Sequence, residues 1–78
     1  MKHELTTLCK DSNGNTIEFE RWRDCVNPHT AIRNMKKLLS NELYRKCTDG
    51  VENIVRIEVY RDSDRVNMLA SEPYTQEA

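Results

Sequence analysis

Residues 27–47 read NPHTAIRNMKKLLSNELYRKC, and their spacing predicts the central element of the chain. Ala31, Ile32, Met35, Leu38, Leu39 and Leu43 recur every three or four positions. At 100° per residue they fall within one stripe about 140° wide. Asn27 is a good N-cap residue, and Pro28 suits the first helical position, where its missing N–H costs nothing. Arg45 and Lys46 favour the negative end of a helix, and Asp49-Gly50 supplies a stop. The reading is one amphipathic helix from about residue 28 to about residue 47, with the boundary error usual for sequence patterns.

Upstream, His3 to Arg23 reads as two strands around Ser12-Asn13-Gly14-Asn15, because Asn-Gly supplies the positive φ angles of a two-residue type I′ hairpin turn. With Asn13 and Gly14 as the loop, Leu8 lies opposite Phe19 and Lys10 opposite Ile17. Leu8, Ile17 and Phe19 then share the face expected to meet the core. Thr7, Cys9, Glu18 and Glu20 occupy the face expected to meet water, with Leu5 and Trp22 at its far end.

Downstream, Val55, Ile57 and Val59 alternate with Arg56, Glu58 and Tyr60, the period of a half-exposed strand. Asp62-Ser63-Asp64 reads as a turn, Val66, Met68 and Ala70 as a weaker fourth strand, and Pro73 as its end. The order β-β-α-β-β predicts an α+β fold, a two-layer sandwich of one amphipathic helix on a small antiparallel sheet. Residues 1–73 form a single domain in this reading, and 74–78 a flexible C-terminal tail.

At 78 residues there is room for one unit only, and a domain this short buries about 60–65% of its unfolded surface. Twelve Lys and Arg against thirteen Asp and Glu leave a net charge of -1, so binding to nucleic acid or membrane must come from local patches. Three cysteines, an odd number, and an N-terminus without an apolar run predict a reduced, cytoplasmic protein. No stretch has the ~20 apolar residues of a membrane helix.

Two surfaces emerge as candidates. Trp22, Ile54 and Tyr60 fall on the second sheet face and predict a protein-binding or self-association surface, with a homodimer as one form of it. Arg33, Lys36, Lys37 and Tyr44 share a helix face in a segment where five basic residues meet only Glu42, a pattern that suits RNA or DNA as the alternative partner. The competing reading of that face is a solvated surface whose cations pair with acidic strands.

Chemistry leaves a weaker trace. Cys25 and His29, four apart, with Cys9 and Cys47 would make a Cys₃His set, but a structural zinc site needs two close ligand pairs and only one is present, so no metal is expected. Neither His3 nor His29 has an evident catalytic partner, and no phosphate-binding glycine loop or nucleophile elbow occurs. A small metal-free ribonuclease acting through His29 and arginines is the enzymatic alternative. The expected role is a non-enzymatic interaction or accessory protein without a cofactor.

Overall fold

The computed structural model describes residues 4–23, 26–61 and 66–75. Strands β1 (Glu4–Asp11) and β2 (Thr16–Arg23) form one hairpin, and β3 (Ile54–Arg61) pairs antiparallel with β4 (Met68–Pro73). Between the pairs lie helices α1 (Pro28–Leu39) and α2 (Glu42–Cys47) and a short 3-10 turn, Val51–Asn53. The sheet is fully antiparallel in the order β2-β1-β3-β4, so the first strand of each pair is central. The α+β class stands. The turn expected at Asp62-Ser63-Asp64 lies outside the described residues, and Val66 precedes β4 as an exposed residue. Among the described residues no helix is long and apolar enough to cross a membrane.

The single helix predicted over 28–47 is two helices. α1 starts as expected, with Asn27 Oδ1 accepting from the His29 N–H at 2.9 Å and Pro28 in the first turn. It stops at Ser40, whose N–H reaches the carbonyls of Lys36 and Lys37 and whose hydroxyl donates to the Lys37 carbonyl at 2.8 Å. Asn41 is extended, and its Oδ1 accepts from the Tyr44 N–H at 3.1 Å, which starts a new helix on a new axis. Ala31, Ile32, Met35 and Leu39 are buried as their spacing predicts. Leu43, the last member of the stripe, is cut off from it and is 73% exposed.

The first hairpin also departs from its predicted form. Its loop has three residues, Ser12-Asn13-Gly14, closed by Asp11 N–H to Asn15 O at 3.0 Å and Gly14 N–H to Asp11 O at 3.1 Å. Asp11 Oδ1 accepts from the Asn13 and Asn15 N–H groups, both at 2.9 Å. Gly14 takes φ 83°, the left-handed residue that follows a type I turn in such loops. Lys10 therefore faces Thr16, not Ile17, but a bulge between Cys9 and Lys10 absorbs the extra residue and restores Leu8 opposite Phe19.

The two faces of the first hairpin are exchanged relative to expectation, whereas Ile57 and Val59 of β3 enter the core as their alternation predicts. Leu5, Cys9, Ile57 and Val59 form the core with the α1 stripe, Val51 and Ile54, so the face carrying Thr7, Cys9, Glu18 and Glu20 is the one the helices cover. Alternation defines two faces without saying which one a helix takes. Here the choice goes to the face to which β3 adds Ile57 and Val59. Ile17, shifted by the bulge, packs against that core too. A second bulge between Lys10 and Asp11 changes the phase of β3, so Ile54 turns inward at 3% exposure and Val55, expected inside, is exposed.

Candidate binding surfaces

The face away from the helices is built by cross-strand rows. One runs Arg21, Thr6, Tyr60, Met68; the next Phe19, Leu8, Glu58, Ser71; the third Thr16, Lys10, Arg56, Pro73. Leu8 is 2% exposed yet stands apart from the helix-side core, so it is covered by its neighbours on this face. Around it Phe19 is 42% and Met68 49% exposed. Arg21 and Arg23 add exposed cations, with Arg23 opposite Glu4 and Arg21 3.8 Å from its carboxylate. Lys10 Nζ donates to Thr16 Oγ1 at 2.7 Å. A shallow depression beside β2 is lined by Phe19, Glu20, Arg21 and Arg23.

Glu58 anchors this surface. It is buried, with Arg56 Nε at 2.7 Å from one oxygen and the Tyr60 hydroxyl donating to the other at 2.8 Å. All three residues sit at alternate positions of β3 and so share the face. Burial first, then the bond to Glu58 and its charge, raise the Tyr60 pKa above its ordinary value, with Arg56 opposing, so the phenol stays a donor. Beside Tyr60, the Thr6 hydroxyl is buried without a hydrogen-bond partner among the described residues.

The three residues predicted to form one protein-binding surface are not brought together. Tyr60 is on this open face. Trp22 is on the helix side, half-buried against the core with its indole N–H donating to Thr7 Oγ1 at 2.8 Å. Ile54 is inside the core. Phe19 and Met68 take the exposed apolar positions instead. Alternation in β2 had grouped Phe19 correctly with Leu8; what it lacked was the side of the sheet the helices would cover.

The predicted helix surface is likewise divided. Arg33, Lys36 and Lys37 are exposed along α1, and Lys36 Nζ lies 3.5 Å from Glu72 on β4. Tyr44 does not join them: the break at Ser40-Asn41 turns it toward the sheet, where it packs against the core. Its hydroxyl is buried without a well-formed hydrogen bond among the described residues, near Glu18 and Glu20, and burial followed by those charges holds its pKa well above the usual phenol. Two grooves flank Lys36. One of about 240 Å³ is lined by His29, Ile32, Arg33, Lys36 and Glu72, and one of about 400 Å³ by Lys36, Ser40, Arg45, Pro73, Tyr74 and Thr75. Tyr74 packs on the core and its N–H donates to Val55 O at 2.9 Å, so ordered contacts extend past Pro73.

Cys9 and Cys47 are free thiols, the first buried and the second exposed. Burial first, then Glu18 and Glu20, push the Cys9 thiol up to about 12, so it is protonated at neutral pH and behaves as a small apolar core group. Cys25, the partner proposed for His29, lies outside the described residues. Among the described residues no three His, Cys, Asp or Glu side chains are grouped so as to hold a metal ion. Compared with known proteins, the chain matches no family model, no curated protein and no solved structure.

Proposed function

We propose that this chain is a small binding module that engages a macromolecular partner through the open face of its sheet. The observation that carries the reading is the arrangement on that face: exposed Phe19 and Met68 on the two edge strands, with Tyr60, buried Leu8 and Glu58 between them and Lys10, Arg21, Arg23 and Arg56 interspersed. Exposed apolar groups interleaved with cations on one sheet face are features of a recognition surface. The protonated, buried Cys9 thiol fits a binding role better than a nucleophilic one. The α1 surface supports partner binding less well, because Tyr44, its one aromatic candidate, faces the core.

The reading is tested by capture from lysate on the immobilised chain. The Phe19→Ser/Met68→Ser double variant is expected to lose retained material while keeping its circular dichroism spectrum. Arg33→Ala/Lys37→Ala is expected to keep it. The reverse pattern, or no retained material with the native chain, overturns the assignment.

A further inference from the structure

We infer that the partner of the open face is a single-stranded nucleic acid, whose bases stack on Phe19 and Tyr60 while its phosphates meet Lys10, Arg21, Arg23 and Arg56. The inference rests on the reading that this face is the working surface, and it adds the chemistry of the occupant.

Charge selects among occupants. The face carries those four cations against Glu4 and Glu58, a net charge of +2, with Arg56 paired to Glu58 at 2.7 Å and Arg21 3.8 Å from Glu4. A second copy laid face to face would set a patch of net +2 against an identical patch of net +2. A polyanion meets the same cations with opposite charge. The whole chain carries a net charge of -1, so this local excess is a property of the face and not of the composition.

The rings select further. Phe19 and Tyr60 are two strands apart and offset by one cross-strand row, which places their Cα atoms about 12 Å apart from standard strand dimensions. Each can therefore receive its own base. The bond from Tyr60 to Glu58 ties its ring down along β3, so it is held in place before any ligand arrives. Bases are available for stacking only when unpaired, and a broad sheet face does not enter a duplex groove as a helix or a two-stranded ribbon does. Met68, next to Tyr60, widens the apolar ground on which a base lies.

The experiment is fluorescence anisotropy with labelled oligodeoxythymidylate and oligouridylate of about 15 nucleotides, the upper range for one small domain, against a duplex of equal length. The native chain is expected to bind the single strands in preference to the duplex, with log K falling against log salt at a slope of about -2 to -3. Phe19→Ala and Tyr60→Ala are each expected to weaken binding by on the order of 10-fold, while Tyr60→Phe, which keeps the ring but loses its bond to Glu58, weakens it less than Tyr60→Ala. Arg23→Gln is expected to flatten the salt slope by about 0.7. Leu43→Ala, on the exposed side of α2, serves as the neutral control, and Phe19→Leu replaces Phe19→Ala should the latter fail to fold. No binding at low salt, equal binding of duplex, or sensitivity to Arg33 and Lys37 in place of Phe19 and Tyr60 overturns the inference. If oligonucleotides are not bound but lysate capture still depends on Phe19 and Met68, a protein partner holds the face and the binding-module reading stands. If capture is independent of them as well, both fall.

Discussion

Thr6 shows how much a single side chain can reveal about a small sheet. Its hydroxyl is buried without a hydrogen-bond partner among the described residues, an arrangement that costs roughly 1–3 kcal/mol relative to a satisfied group. Thr6→Val keeps the β-branched shape and removes the polar atom. The melting temperature is expected to rise by several degrees, since about 1 kcal/mol corresponds to roughly 4–8 °C at this chain length. A fall on thermal melting would show that the hydroxyl is satisfied in solution. The two glycines form a second comparison at this scale. Both take φ 83°, but a Cβ at Gly50 would meet Ile17 Cγ2 at 3.4 Å whereas one at Gly14 meets nothing within 4 Å. Alanine at either position adds about 1–2 kcal/mol of backbone strain. Gly50→Ala and Gly14→Ala are expected to destabilise by similar amounts in urea titrations, since the added Cβ at Gly50 makes only ordinary contact with Ile17.

Among the elements, the break between the helices is the feature most open to test. Asn41→Ala removes the acceptor for the Tyr44 N–H and is expected to cost about 1 kcal/mol, with loss of helical signal confined to the six residues of α2. A melt and spectrum identical to the native chain would show that α2 is held by Tyr44 packing alone. The break was legible in part: Ser40 and Asn41 are capping residues, but Leu43 continues the apolar period past them, and period outweighs composition when a helix is read from sequence. The existence and type of the four strands were legible for the same reason, since alternation and turn residues are local, but their order across the sheet was not. Bulges are not local. One extra residue at Ile17 and another at Val55 leave the composition of each strand unchanged, yet they decide whether Ile54 or Val55 enters the core. That is why Trp22, Ile54 and Tyr60 could be named as apolar and still be placed on one surface they do not share. Tyr60, with Met68 beside it and Phe19 on the same face, is what remains of the candidate site, and the cations on that face became visible only once the covered face was known.

For the molecule as a whole, the groups beneath α2 set a limit at alkaline pH. The Cys9 thiol, at about 12, and Tyr44, raised by the same burial and the same glutamates, hold their protons longer in the folded chain than in the unfolded one. Stability from this source is complete below about 9, the ordinary thiol value, and is lost as pH rises from there through about 12. Melting temperatures are expected to be level from pH 7 to about 9 and to fall above it, with the fall beginning nearer 10, the ordinary phenol value, in Cys9→Ala. A level profile to pH 11 would show that Cys9 and Tyr44 are solvated in solution.

The seam between β1 and β3 has a consequence for how the chain assembles. Each hairpin can zip up from its own turn, but an isolated pair of strands is marginal in water, and neither pair owns the covering helix outright. Joining them closes a loop from Asp11 to Ile54, an encounter between distant parts of the chain that rewards both partners only when complete. Neither half is therefore expected to hold its structure when made separately, and the whole chain is expected to melt in one cooperative transition.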